Sequence, residues 1–96
     1  MVATVEIEIV NRLGLHARAC AKLVKTAAQF ECAISLSSGE TLADAKSIMS
    51  LMMLAASQGA RLVLSAEGAD ADAAIQEIQA LVRDRFGEEE IGRAHV

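Results

Sequence analysis

The apolar side chains of this 96-residue chain switch repeatedly between a spacing of two and a spacing of three to four, which restricts its possible folds more than any other feature. A strand shows its two faces on alternate residues, whereas a helix returns to one face every three or four. Val5, Ile7 and Ile9 face one way while Thr4, Glu6 and Glu8 face the other, predicting a first strand with one wet face. From Ala17 to about Phe30 the apolar stripe is Cys20, Leu23, Val24, Ala27 and Phe30, with Lys22, Lys25 and Gln29 off it, predicting a helix. Cys32, Ile34 and Leu36 then alternate with Ala33, Ser35 and Ser37, and the Ser38-Gly39 turn leads into a short run from Glu40 to Ala43, which reads as a hairpin. Ser47 precedes Ile48, Leu51, Leu54 and Ala55 at helical spacing and Gly59 follows, so a second helix is expected to begin at a serine cap and stop at a glycine. Arg61 to Glu67 alternates again with Leu62, Leu64 and Ala66 on one side. Asp70 is placed to cap a third helix with the stripe Ala74, Ile75, Ile78, Leu81, Val82 and Phe86, with Arg83 and Arg85 near the negative end of its dipole and Gly87 as its stop.

The order β-α-β-β-α-β-α, with strands polar on one face, predicts an α+β domain: a four-stranded, mainly antiparallel sheet carrying three helices on its other face. A chain of this length is expected to build one core. Nothing in residues 1–87 divides them into separate domains, and the charged segment 88–96, which contains His95 without a helix mouth or a neighbouring arginine, reads as a solvated tail with no assigned role.

Composition removes several classes of function. Hydrophobic residues make up 53% of the chain, but the apolar runs, such as Met52 to Ala56, are too short to cross a bilayer. The acidic N-terminal stretch lacks the positive start and apolar core of a signal peptide, so a cytoplasmic location without membrane insertion is expected. A net charge of −4 repels a phosphate backbone, and no basic stripe with interleaved aromatics offsets it, which argues against nucleic acid as a partner. Cys20 and Cys32 fall on apolar positions and lack the close pairing of zinc ligands, so they are read as small buried hydrophobes, with no metal or cofactor implied.

Asn11-Arg12-Leu13-Gly14-Leu15-His16-Ala17-Arg18 joins the first strand to the first helix and sets a histidine at the mouth of that helix. The first N–H groups of a helix lack internal acceptors and lie at the positive end of its dipole, so the backbone of Ala17 and Arg18 is suited to hold an anion beside His16. A neutral imidazole can attack phosphorus, giving a phosphohistidine, and the guanidinium of Arg18 can curl back to pair with the phosphoryl oxygens. Phosphoryl transfer asks mainly for positioning and charge neutralisation, both of which this arrangement supplies. Isolated from its context, the same histidine is equally a helix cap or a loop residue.

Gly14-Leu-His-Ala-Arg18, Leu23-Val-Lys-Thr-Ala27, Lys46-Ser-Ile-Met49 followed by Gln58-Gly59, and the turn Ser65-Ala-Glu-Gly68 together resemble the HPr family, the histidine-containing phosphocarriers of the bacterial sugar phosphotransferase system. The resemblance runs from about Val5 to Phe86 and implies an open-faced β-sandwich. It further implies that His16 carries the phosphoryl group with Arg18 assisting, that enzyme I donates it and that enzyme IIA domains receive it. Such a protein is a carrier and not a free-standing enzyme. Where the family normally has proline and alanine after the arginine, this chain has Ala19 and Cys20. Proline in a first helical turn forfeits only an N–H without an intrahelical acceptor, so the substitution leaves the helix intact. It bears on the branch of the family, since a nitrogen-related regulatory paralogue has a similar pattern.

Ser47 matches the family's regulatory serine, the target of a kinase and phosphorylase in some bacteria. As a neutral cap its hydroxyl is worth about 1 kcal/mol, and as a phosphoserine it adds a dianion that repels acidic partners. Met49, Met52 and Met53 lie off the core stripe and, with Ile48, are expected to form an exposed docking patch, completed near His16 by Ala17, Ala21 and Lys25. Flexible methionines suit a surface that must fit several partners. With no long apolar seam, a monomer is expected. The rival class is a non-catalytic regulatory or ligand-binding α+β domain in which His16 is only a loop residue.

Overall fold

In a computed structural model, which describes residues 2–88, the chain forms β1 (Val2–Glu8), α1 (Ala17–Ala27), β2 (Ala33–Ser38), β3 (Thr41–Asp44), α2 (Ile48–Met53), β4 (Arg61–Glu67) and α3 (Ala71–Arg83), followed by a single 3-10 turn at Arg85–Gly87. The strands lie in the order β1-β4-β2-β3 and every pairing is antiparallel. The last strand in the sequence therefore runs between the first two, with Val5 and Leu36 both registered on Leu64. This is the split arrangement that element order alone could not single out.

The inward residues are those the period of two selects. Ile7, Ile34, Leu36, Ala43, Leu62, Leu64 and Ala66 are buried from the sheet, while Thr4, Glu6 and Glu8 remain on the open face. The cover is Cys20, Leu23 and Ala27 of α1, Leu51 of α2, and Ala74, Ile75, Ile78 and Val82 of α3. With only two phenylalanines in the chain, alanines bring the helices close to the sheet and take the place of bulk.

Four local readings need correction, each because a tertiary contact overrides a local signal. α1 ends at Ala27, and Phe30 packs half-buried from the turn beyond it. α2 is only six residues long and ends at Met53 with Leu54 as its C-cap, because Ala55 enters the left-handed region at φ 51°; Ala55 is exposed, and Gly59 instead serves the turn into β4. α3 ends at Arg83, so Phe86 fills the core from the 3-10 turn at φ 55° and not from the helical stripe. Asp70 occupies the N-cap position of α3 but does not cap it. Its carboxylate accepts the N–H groups of Glu31 (2.9 Å) and Cys32 (3.0 Å), tying α3 to the start of β2. Those hydrogen bonds, led by the one from Glu31, hold the Asp70 carboxyl below its ordinary range. Burial, reinforced by Asp70 alongside, pushes the Cys32 thiol up, and burial alone does so at Cys20, so both thiols stay protonated.

Candidate functional site

The loop between β1 and α1 is clamped to the segment preceding β4. Ile9 and Leu15 donate to Ala60 O and Ala56 O, both at 2.9 Å, and Gly59 returns a bond to Ile9 O at 2.7 Å. Gly14 makes this approach possible. Its φ is +68°, and a Cβ there would lie 2.5 Å from Ala56 O and 2.9 Å from Ser57 Cα, both backbone atoms. Leu15 is then buried as an anchor, and its carbonyl accepts the Cys20 thiol. The next residue, His16, is thereby delivered to the N-cap of α1.

His16 has extended backbone (φ −77°, ψ 176°) and its carbonyl accepts the Cys20 N–H at 2.9 Å, the first helical bond of α1. The amides of Ala17, Arg18 and Ala19 precede that bond and have no helical acceptor. The imidazole does not cap them; it turns aside, 27% exposed, with Nε2 against the Glu88 carboxylate. Nδ1 hydrogen-bonds to none of the described residues.

Glu88 belongs, by composition, to the charged tail, yet its side chain is only 17% exposed. Three consecutive residues with positive φ, Arg85 (57°), Phe86 (55°) and Gly87 (77°), reverse the chain after α3. Lys22 of α1 pins the reversal by donating from Nζ to Phe86 O at 2.6 Å. One Glu88 oxygen then meets His16, while the other accepts from Nδ2 of the fully buried Asn11 at 3.2 Å. The same Nδ2 donates to Gly14 O at 2.8 Å, so one amide joins the histidine loop to the returning chain. Burial pushes the Glu88 carboxyl up, but the hydrogen bonds from His16 and Asn11 and the nearby charges of His16 and Lys22 outweigh it and leave it below its ordinary range.

Arg18 is exposed and its guanidinium makes no hydrogen bond or ion pair with His16 or any other described residue, so the structure does not unite the two. Ser47 does cap α2, its Oγ accepting the Ser50 N–H at 3.2 Å. Ala17, Ala21 and Lys25 are exposed on α1, and Ile48, Met49 (78% exposed), Met52 and Met53 on α2, which packs beside it. Sequence reasoning missed the part played by two residues, Asn11 and Glu88. Neither is marked locally, since Asn11 is followed by Arg12 and Glu88 lies in an acidic run. No group of three or more His, Cys, Asp or Glu side chains among the described residues is placed to hold a metal ion, and the residues at positions 89–96, including His95, lie outside those described.

The fold and site define a two-layer α+β domain that presents an imidazole at the positive mouth of a helix, with Nδ1 unbonded among the described residues, an arrangement of the class suited to accepting a phosphoryl group. The family model for the PTS HPr component phosphorylation site matches residues 3–84. Phosphocarrier protein HPr of Cupriavidus necator is 46% identical over 82 residues, covering 85% of this chain and 92% of that protein. Phosphocarrier protein NPr of Shewanella violacea is 43% identical over 83 residues, covering 86% and 91%. The crystal structure of HPr-C-His from Thermoanaerobacter tengcongensis superposes with a TM-score of 0.88 at 44% identity, covering 92% of this chain and 99% of that one. The chain belongs to the HPr family, and its function is that of a phosphocarrier of the phosphotransferase system.

Proposed function

We propose that His16 is the residue that carries the phosphoryl group, taken from phosphorylated enzyme I and passed to enzyme IIA domains. The observation that carries this reading is the partly exposed imidazole at the N-cap of α1, beside first-turn amides that lack helical acceptors, with Nδ1 unbonded among the described residues. The phosphoryl oxygens would be met by the amides of Ala17 and Arg18 and by the helix dipole, without a metal. Arg18, unengaged among the described residues, swings in as a planar charged fork once an anion is present. The exposed methionines of α2 with Ile48, together with Ala17, Ala21 and Lys25, form the docking face, and residues 1–87 the carrier domain. Its setting is the cytoplasm, as a monomer.

Ser47 is the regulatory position of this reading. Its Oγ accepts a backbone N–H in the neutral state, and a kinase that phosphorylates it would set a dianion beside the methionine face and repel acidic partners. The likeness to NPr favours a second reading of the acceptor, in which a nitrogen-branch IIA domain takes the group.

Phosphoenolpyruvate and enzyme I should add one phosphoryl group to the intact chain, acid-labile and base-stable by mass measurement, and His16→Ala should take up none. Acid-stable uptake would point to Ser47, and no uptake with competent enzyme I would favour a non-catalytic regulatory domain. Sugar-branch and nitrogen-branch IIA domains offered in parallel then decide the acceptor.

A further inference from the structure

We propose that Glu88 is a positioning residue for the carrier histidine: its carboxylate holds the ring proton on Nε2 of His16, leaves the lone pair on Nδ1 for phosphorus, and balances the positive charge the ring acquires. This rests on His16 being the carrier. Glu88 itself lies past residue 84, where the match to the family model ends.

The geometry leads there directly. An ionised carboxylate accepts hydrogen bonds and cannot donate one. Glu88 is ionised at neutral pH, since His16 and Asn11 hold its carboxyl below the ordinary range against the opposing effect of burial. Its neighbour Nε2 must therefore carry the proton, and Nδ1 is the ring atom left with an unshared pair. When that pair attacks, an Nδ1–P bond forms and the bond from phosphorus to the donor breaks, its electrons leaving with the donor. The proton stays on Nε2, so the ring becomes a phosphorylated imidazolium beside a carboxylate. Onward transfer returns the Nδ1–P electrons to the ring, again with no proton moved. The carboxylate thus does for this imidazole what a buried aspartate does in a hydrolase triad: it selects the tautomer and stabilises the cation.

The surrounding structure is built to hold the carboxylate there. The left-handed run at Arg85, Phe86 and Gly87 is a costly conformation for the two non-glycine residues. It is kept by Phe86 buried in the core and by Lys22 on the Phe86 carbonyl. Asn11 takes the second oxygen and so fixes the rotation of the carboxylate about its axis.

The test uses the full chain as wild type, Glu88→Gln, Glu88→Asp and His16→Ala. Two readouts are the initial rate of phosphoryl uptake from phosphorylated enzyme I and the nitrogen-15 shifts of the His16 ring above neutral pH. Glu88→Gln is isosteric but offers an amide that can also donate to Nε2. It should shift the ring from the Nε2–H form towards a mixture and slow uptake roughly ten- to hundredfold, while Glu88→Asp restores part of both. An unchanged ring spectrum or an unchanged rate in Glu88→Gln would each overturn the proposal while leaving the carrier reading intact, provided wild type is phosphorylated and His16→Ala is not. A wild-type chain that accepts nothing would overturn the carrier reading and this proposal with it.

Discussion

Substituting Gly14 by alanine tests how the histidine loop is held, and its cost can be worked from two separable effects. The backbone at Gly14 has φ +68°, a left-handed conformation that costs a non-glycine residue roughly 1–2 kcal/mol. Beyond that, the new Cβ would lie 2.5 Å from Ala56 O and 2.9 Å from Ser57 Cα. Neither is the end of a flexible side chain, so the loop itself must move, at an overpacking cost of about 1–3 kcal/mol. Gly39, at the hairpin turn with φ +59°, has the same conformational demand but nothing within 4 Å of a Cβ. Gly39→Ala is therefore the internal control. Both variants lose the left-handed term, and the difference between them isolates the steric one. At roughly 4–8 °C per kcal/mol for a domain of this size, Gly14→Ala should melt at least about 4 °C below Gly39→Ala, with a lower urea midpoint and an unchanged slope. It should also slow phosphoryl uptake at temperatures where it remains folded, because relief of the clash pulls Leu15 from Ala56 O and His16 with it. Equal melting temperatures for the two variants would refute the reasoning.

The Glu88 carboxyl titrates below its ordinary value of 4.5 in the folded chain, so its contribution to stability is present above that value and lost as pH falls through the folded one; urea midpoints measured across acid pH should fall more steeply for wild type than for Glu88→Gln. Ser47→Ala removes the bond to the Ser50 N–H and should lower stability by about 1 kcal/mol, read as a urea midpoint, and Ser47→Asp should recover most of it. Asp70→Ala strands the N–H groups of Glu31 and Cys32 and should lower the melting temperature more than Asp72→Ala, a residue that only lines the first turn of α3. Met49→Lys, at a largely exposed position, should leave the melting temperature in place yet slow transfer to or from protein partners, measured as the concentration dependence of the rate.

The comparison of sequence with structure divides by distance along the chain. Alternation at Val5, Ile7 and Ile9, the stripe at Cys20, Leu23 and Ala27, and the serine before Ile48 are signals between near neighbours, and each was legible. Leu54, Ala55 and Gly59 misled because a left-handed alanine ended α2 early. Nothing local marks such an alanine. Asp70 misled in the opposite way: it stands where a cap belongs, but two amides 38 and 39 residues away compete for its oxygens and win. At the site, the histidine, the arginine and the helix mouth could be read from adjacent letters. The arginine's present detachment from His16 could not.

The chain's letters alone decided which segments become strands and helices, which face of each turns inward, and that an imidazole stands at the positive end of α1, because all of these follow from periods of two and 3.6 and from backbone groups within one turn. Tertiary structure alone decided that β4 enters between β1 and β2, and that a carboxylate 72 residues from His16 reaches its ring. Residues that far apart meet only after the core has closed around Phe86 and turned the chain back over α1, and no periodicity in the sequence records the direction of that return.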